Sequence, residues 1–322
     1  MSELLNGQRS APGTLPLPPV DDYWNPGEPG PRYRARLAAL HQVSKLGGML
    51  RQMLGTRITN AVGVLTYHRI SPVCRGLPEP TINVTPVRFR RQIVGLLRRG
   101  FRFISLQEAL DAQAQGREFL ESTVVLTFDD IYDNVYEHAF PILQELEIPA
   151  TCFVASGFID SEAPFLFDPW ARAHHDRVPR SAWRPITGRH LRKMVNSGLV
   201  EIGAHSHTHR DFRLCPDAFC KDVMHGVRVL ADSFGAEPSV FAFPYGAPQL
   251  GFCCEQWHKE LYEHGFRCGL TTASHTNRLS DSPFGWGRFH VFDHDTAGSL
   301  AAKLDGWYEW LPNLRRRLLN HS

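Results

Sequence analysis

The chain has 322 residues, which is enough to bury a substantial hydrophobic core in one large domain or two ordinary ones. Its 35 Lys and Arg residues nearly balance its 33 Asp and Glu residues, so it lacks the basic excess typical of proteins that bind nucleic acid. The seven Cys residues are odd in number and form no Cys-x-x-Cys pair, which argues against a disulfide framework and against a zinc ribbon.

The first 57 residues differ in composition from the rest of the chain. Residues 1–31 contain seven of the 23 prolines and little periodic hydrophobicity, which predicts a disordered, Pro-rich leader. Residues 32–57 carry apolar residues at spacings of three and four among basic ones, which predicts an amphipathic helix. This helix either docks on the main domain or lies on a membrane surface.

The sequence predicts a cytoplasmic protein. No basic segment followed by a long apolar run opens the chain, and no stretch approaches the roughly 18 apolar residues that span a bilayer. Basic residues recur within residues 88–102 and in the tail, residues 313–322. A solvated helix face explains these charges most simply, and peripheral membrane contact or binding of a lipid-linked sugar is the alternative. The oligomeric state is not indicated.

Residues 58–312 alternate short apolar runs with helical patterns, as α/β proteins do. The predicted strands are VGVLTY, FRFI, TVVLTF, ATCFVA, LVEIGA, SVFAF, FRCGL and RFHVF. The predicted helices lie within residues 86–99, 133–147, 188–198, 216–235 and 253–265. Seven or eight strand–helix units in one domain favour a (β/α) barrel over an open sheet.

Four of the predicted strands lead into polar or unusual residues. Catalytic residues of (β/α) barrels gather at the C-terminal ends of the strands, so we expect these residues at one rim. In chain order they are His68, Asp129 with Asp130, the cluster His205, His207 and His209, and Pro244 with Tyr245.

The aspartates and histidines together suggest a metal site. Adjacent carboxylates behind an apolar strand are costly to bury unless a cation neutralises them. Two histidines and one carboxylate suit a metal such as Zn²⁺ and leave coordination positions open for water and substrate. His205, His207 and His209 share one face of an extended chain, so spacing alone does not select the ligand pair. A capping role for the aspartates and a solvated histidine-rich loop are the structural alternatives.

Three ordered segments, TFDD, HSHTH and FAFPYG, resemble the first three motifs of the polysaccharide deacetylases, the NodB homology domain of carbohydrate esterase family 4. The resemblance extends from about residue 60 to about residue 295. It implies an α/β fold, a distorted (β/α)7-8 barrel of the NodB type. It also implies an enzyme that hydrolyses C–N bonds and removes N-acetyl groups from amino sugars of a polysaccharide or glycoconjugate.

The resemblance assigns roles at the first two motifs. Asp130, His205 and His209 fall on the metal ligands of the family, and the expected cofactor is a divalent metal, first of all Zn²⁺. His207 falls on a variable position and is expected to stay off the metal. Asp129 falls on the general base, which would deprotonate a water bound to the metal.

At the third motif, the backbone N–H of Tyr245, next to Pro244, falls on the group that holds the oxyanion. VGVLTYHRI resembles the first strand of the circularly permuted branch, which includes poly-β-1,6-N-acetylglucosamine deacetylases, so His68 is the expected general acid. WGRFHV resembles a late segment of that branch. Arg288 is therefore expected to steady Asp129, and a purely structural arginine is the alternative.

Two further features bear on the substrate. Ile131 replaces the glycine that usually follows TFDD, so the turn or the room for substrate is expected to differ. Asp168 and Trp170 lie where the family places substrate-contacting loops, although a loop anchor is the simpler interpretation. The expected partner is an N-acetylated glycan or a lipid-linked sugar, without nucleic acid. A hydrolase of another non-peptide amide and a catalytically silent glycan-binding protein are the other candidate functions.

Overall fold

The computed structural model describes residues 60–80, 82–119, 121–235 and 237–306. The predicted leader (1–31), the amphipathic helix (32–57) and the basic tail (313–322) lie outside the described residues. Those three predictions therefore stay predictions.

Eleven strands lie within the described part of the chain, and every strand predicted from the sequence is among them. They are β1 Ala61–Tyr67, β2 Arg69–Ile70, β3 Asn83–Val84, β4 Arg102–Ile104, β5 Thr123–Phe128, β6 Ala150–Val154, β7 Val200–Ala204, β8 Val240–Ala242, β9 Cys268–Leu270, β10 Asn277–Arg278 and β11 Phe289–His290.

Eight α-helices lie within the same ranges. They are α1 Pro86–Leu97, α2 Leu106–Ala114, α3 Phe140–Leu146, α4 Pro169–His174, α5 Gly188–Asn196, α6 Phe219–Phe234, α7 Glu255–Glu263 and α8 Ala297–Leu304. The five predicted helices correspond to α1, α3, α5, α6 and α7. The pattern over residues 133–147 is divided between a π-helical turn, Val135–Ala139, and α3.

The main sheet has the strand order β10-β1-β5-β6-β7-β8-β9, with β11 also pairing with β1 and β4 with β5. All of these pairs are parallel except β1 with β10. Residues 283–290 bridge β9, at one end of this order, and β1, next to its other end. The Thr271 N–H, next to β9, donates to the Trp286 carbonyl at 2.8 Å. Phe289 in β11 then pairs with Leu65 in β1. The sheet is thus a curled, distorted (β/α) barrel, as predicted.

Alternate residues of the strands pack into two different cores, because side chains of a strand point in turn to its two faces. Val62 and Val64 of β1 pack with Phe153 and Trp286 on what we call the inner face. Leu65, of odd number in the same strand, packs on the other face, against the helices. Both faces are covered, which is typical of a parallel sheet.

The basic segment over residues 88–102 forms an ordinary charged surface. Arg90 pairs with Glu145 at 2.7 Å and Arg102 pairs with Glu108 at 2.9 Å, and both arginines are exposed. No helix within the described ranges is long and apolar enough to cross a membrane. Peripheral membrane contact stays a prediction.

Candidate metal and catalytic site

The turn after β5 separates the two aspartates. The Ile131 N–H donates to the Asp129 carbonyl at 2.6 Å, and the residue between them, Asp130, has φ +63°. This left-handed backbone conformation costs a residue other than glycine roughly 1–2 kcal/mol. It interrupts the alternation of the strand, so Asp129 faces Arg288 while Asp130 faces the histidines. One carboxylate is thereby directed to a metal site and its neighbour to a separate partner.

Ile131 holds the turn without a glycine. Its φ is +61°, the conformation that glycine adopts at no steric cost, and its side chain is fully buried in the core. The backbone adopts the left-handed conformation despite the β-branched side chain, and the expectation that the turn or the room for substrate differs stays a prediction. Burial of the isoleucine side chain offsets the strain.

Asp130, His205 and His209 form a buried cluster whose ligand atoms lie within 4.8 Å of one another. Asp130 Oδ1 lies 3.5 Å from His205 Nε2 and 3.2 Å from His209 Nε2. The buried Asp130 Oδ1 accepts no hydrogen bond. Burial acts most strongly to raise the pKa of Asp130, but the two histidines outweigh it and hold that pKa well below its ordinary value.

The donor set fits a tetrahedral divalent metal. Ligands bound to Zn²⁺ at about 2.0–2.1 Å in a tetrahedron are about 3.3 Å apart, close to the two separations from Asp130 Oδ1. The unsatisfied carboxylate oxygen is the kind of atom that a cation would satisfy. Three ligands leave at least one position for water or substrate.

Each histidine of the cluster is oriented by a different contact. His205 Nδ1 lies 2.7 Å from the Ala242 carbonyl, so this nitrogen donates and Nε2 keeps its lone pair for a metal. His209 stacks on Phe167, with ring centroids 3.8 Å apart, and its Nδ1 is buried without a hydrogen bond. Burial lowers the pKa of His209, which favours the neutral ring that binds metals.

His207 lies outside the cluster, as the resemblance to the family predicts. Its Nδ1 lies 2.9 Å from Ser156 Oγ, and its ring meets His225 with centroids 4.4 Å apart. His207 is half-buried, and burial lowers its pKa. The middle histidine therefore contacts α6 and the loop after β6 rather than the metal ligands.

Asp129 is held by Arg288 on the inner face. Arg288 Nη1 and Nη2 donate to the two carboxylate oxygens at 2.6 and 2.7 Å, and both residues are buried. Arg288 also donates to the Thr271 carbonyl at 3.1 Å. Burial raises the pKa of Asp129 most strongly, but the Arg288 and histidine charges together hold it below its ordinary value. The arginine predicted to steady Asp129 thus contacts it directly.

His68 follows β1 and is buried beside the aspartates. Its ring stacks on His290 with centroids 5.5 Å apart. Burial lowers the pKa of His68, and the Asp130 and Asp129 carboxylates oppose that shift. Burial also lowers the pKa of His290, to about 3, so His290 is neutral at physiological pH. Sequence reasoning missed His290, although it lies in the same segment as Arg288.

Tyr245 and Pro244 form a tight turn after β8. The Gly246 N–H donates to the Pro244 carbonyl at 2.7 Å across Tyr245, whose φ is +62°. The Tyr245 hydroxyl donates to the His209 carbonyl at 3.4 Å, and the Tyr245 ring lies edge-on to that of His209. The third motif is therefore joined directly to the second.

An arginine that the sequence did not indicate lies beside the site. Arg69, in β2, forms a buried ion pair with Asp168, which also accepts a hydrogen bond from Tyr132 at 2.9 Å. The Arg69 guanidinium lies over the rings of Tyr132 and Trp170. Asp168 also caps α4, accepting from the Ala171 N–H at 2.9 Å. Asp168 and Trp170 thus anchor their loop, as the simpler of the two expectations has it, and contact with the substrate stays a prediction.

One pocket contains most of these groups. His68, the two aspartates, the two histidines of the cluster and Tyr245 line it, and so do Arg69, Tyr132 and Asp168. Arg288 and His290 lie behind this lining: Arg288 binds Asp129, and His290 stacks on His68. The pocket therefore brings the sequence-predicted metal ligands, base and acid together, at the ends of β1, β5, β7 and β8.

Residues 116–268 match the polysaccharide deacetylase family. The match covers 153 of the 322 residues, so just under half of the chain is similar to this family. The matched range contains all three of the motifs TFDD, HSHTH and FAFPYG, and the match confirms the resemblance predicted from the sequence.

Relatives of known name agree with this family. A poly-β-1,6-N-acetyl-D-glucosamine N-deacetylase of Staphylococcus aureus is 26% identical over 173 residues, which are 51% of this chain and 54% of that relative. The enzyme of the same name from Escherichia coli is 30% identical over 147 residues, 46% of this chain and 21% of the relative. The chain thus spans about half the length of the staphylococcal relatives that it matches.

Solved structures also resemble the domain. IcaB from Ammonifex degensii superposes with a TM-score of 0.63 at 27% identity, covering 77% of this chain and 98% of that one. The Streptococcus pyogenes deacetylase PplD, in complex with acetate, superposes with a TM-score of 0.62 at 18% identity, covering 77% and 99%. The second likeness concerns the fold alone, and both agree with the distorted barrel.

Proposed function

We propose that this chain is a metal-dependent hydrolase that removes N-acetyl groups from amino sugars of a polysaccharide. The observation that carries the proposal is the convergence, in one pocket, of three buried ligand atoms with a buried carboxylate and a buried histidine. A metal site, a base and an acid are what amide hydrolysis by water requires.

Zn²⁺ is the metal that we propose, because two imidazoles and one carboxylate at these separations suit it. Asp130, His205 and His209 would hold it, and it would supply a Lewis acid that polarises the acetamide carbonyl and acidifies water. The Ala242 carbonyl and the Phe167 ring keep the two imidazoles in place for this task.

Asp129 accepts the proton of the attacking water. Its pKa lies below the ordinary value, because the Arg288 and histidine charges outweigh burial, so the carboxylate is ionised at neutral pH. Arg288 occupies both carboxylate oxygens and fixes the direction from which water approaches. A carboxylate of low pKa is a weak base, so this transfer depends on a water that is more acidic than bulk water.

His68 donates the proton that the leaving amine requires. It lies in the same pocket as Asp129. The two carboxylates oppose, without cancelling, the lowering of its pKa by burial. The Tyr245 N–H, held in the turn after β8, is our candidate for the donor to the developing oxyanion.

Poly-β-1,6-N-acetylglucosamine is the first polymer to test, because the relatives from Staphylococcus aureus and Escherichia coli are named for it. Acetate release from β-1,6- and β-1,4-linked N-acetylglucosamine oligomers would be measured with the zinc-loaded chain, with a chelator, and after zinc is restored. We expect activity that the chelator abolishes and zinc restores.

Asp129→Asn is the matched loss-of-base variant, and His264→Gln is its control, because exposed His264 lies outside the ligand cluster and does not line the pocket. We expect the first to be nearly inactive and the second to retain activity. Absence of acetate release from every oligomer, or an Asp129→Asn variant as active as wild type, would reject the proposed reaction.

A further inference from the structure

A second groove extends from the catalytic pocket. It is lined by residues of the loops after β6 and β7 and by α4, and it shares Phe167, His209 and Tyr245 with the pocket. When one acetamido group of a polymer lies at the metal site, the next sugar unit must lie outside the pocket. The groove is continuous with the pocket, so it is a place where that unit can bind.

Two arginines give the groove a positive charge. Arg172 and Arg210 both line it, and both are exposed. Neither forms an ion pair with a carboxylate within the described ranges, whereas nearby Arg184 and Arg213 pair with Glu162 and Asp211. Within the described residues, the Arg172 side chain donates one hydrogen bond, a long one of 3.4 Å from Nη1 to the Leu166 carbonyl.

Asp222, an acidic residue bonded to the loop that lines the groove, is already engaged. Asp222 accepts hydrogen bonds from the N–H groups of His207 and Thr208, at 2.7 and 3.1 Å, and from the Thr208 hydroxyl at 2.7 Å. These bonds tie its carboxylate to the loop that follows β7. The charge of the two arginines is therefore left for an anion from outside the chain.

The wall of the groove suits a sugar ring. Phe167 stacks on His209 and meets Phe158 edge-on, with centroids 5.8 Å apart, and both phenylalanines are only half-buried. Aromatic faces beside charged groups match a ring that is apolar on one face and carries a charged substituent.

We propose that this groove binds a sugar unit next to the reacting N-acetyl sugar and that this unit carries an anionic group, a carboxylate or a phosphate ester. Arg172 and Arg210 hold the anion, and the Phe158 and Phe167 rings hold the sugar. The inference rests on the proposed deacetylation and names its substrate class: an N-acetylated glycan with acidic units or substituents.

The test is a comparison of binding by calorimetry, with the full zinc-loaded chain carrying Asp129→Asn so that turnover does not interfere. Three tetrasaccharides serve as probes: neutral N-acetylglucosamine, alternating N-acetylglucosamine and glucuronate, and a phosphorylated N-acetylglucosamine oligomer. We expect at least one anionic probe to bind about tenfold more tightly than the neutral one at low salt and to lose this advantage as ionic strength rises. The probe that does so distinguishes the carboxylate from the phosphate.

The variant Arg172→Gln/Arg210→Gln should abolish the preference for the anionic probe. Its matched control is Arg189→Gln/Arg228→Gln, which removes the same charge from two exposed helical arginines that line neither the groove nor the pocket. Equal affinity for all three probes, or an equal loss in both double variants, overturns the inference. Acetate release by wild type from the neutral oligomer is measured separately, so failure of the deacetylase proposal is distinguished from failure of this one.

Discussion

Arg288→Met tests whether the buried ion pair between Arg288 and Asp129 stabilises the fold and the charge of Asp129. Arg288 is fully buried and donates to both oxygens of Asp129 at 2.6 and 2.7 Å. Removing one partner of such a pair leaves an uncompensated buried charge, which costs about 3–5 kcal/mol of unfolding free energy. Methionine fills much of the vacated volume, so only a small part of this loss comes from a cavity. The loss is a large fraction of the roughly 5–15 kcal/mol that keeps a domain folded.

The loss should depend on pH. In the wild type, the pKa of Asp129 is below its ordinary value, so this group stabilises the fold above the unfolded-state pKa, and the effect disappears as pH falls through the lower, folded pKa. In Arg288→Met, burial is opposed only by the histidines, and the folded pKa rises. The variant therefore recovers stability relative to wild type as acid protonates Asp129.

Urea unfolding of the metal-free chains at pH 7 and pH 5 measures both effects. Asp129→Asn/Arg288→Met completes a double-mutant cycle, and it should be more stable than Arg288→Met at pH 7, because it carries no unpaired charge. A loss below about 1 kcal/mol in Arg288→Met would show that the ion pair does not control the charge of Asp129. The same conclusion would follow if Arg288→Met lowered the free energy of unfolding by the same amount in the Asp129→Asn background as in the wild type.

Three further results are expected. Asp130→Asn should lower zinc affinity by well over tenfold in equilibrium dialysis, because loss of a ligand reduces metal affinity more than loss of a residue that only orients a ligand. His207→Gln should leave zinc affinity unchanged. Equal losses of zinc affinity in the two variants would contradict the two-histidine site. His68→Asn should lower kcat by about 10²–10⁴ with zinc still bound, and an unchanged kcat would remove His68 from the reaction. Asp168→Asn keeps a capping side chain for α4 but leaves the buried charge of Arg69 without its counterion. We therefore expect the free energy of unfolding, measured in urea, to fall by about 3–5 kcal/mol. An unchanged free energy of unfolding would show that the Arg69–Asp168 pair does not stabilise the fold.

The strands and the ligand set could be predicted from the sequence because each depends on a local pattern. Apolar, β-branched runs mark strands that are buried on both faces, and the rim rule for barrels places their final residues together. The choice of His205 and His209 over His207 came from the resemblance, because alternation in an extended chain makes the three equivalent. The structure distinguishes them by backbone: His209 has φ +50° and returns to Asp130, while His207 turns to Ser156.

What the sequence did not predict depends on contacts between distant segments. Arg69 and Asp168 are 99 residues apart, and no motif in the sequence around either residue predicts that they pair. Helix α2 carried a usable signal, because Ser105 accepts from the Glu108 N–H at 3.0 Å, the Ser-x-x-Glu pattern of a helix start. Helix α4 has only six residues, which is too short for a periodic pattern.

The segment over residues 283–290 both joins the edges of the sheet and carries Arg288. During synthesis from the N-terminus, Asp129 emerges 159 residues before its counterion. Until Arg288 arrives, burial of Asp129 requires either protonation of its carboxylate or water that stays bound to it. The segment that adds the last strand of the sheet in chain order thus also supplies the counterion of the buried carboxylate, so completion of the sheet and neutralisation of Asp129 depend on the same eight residues.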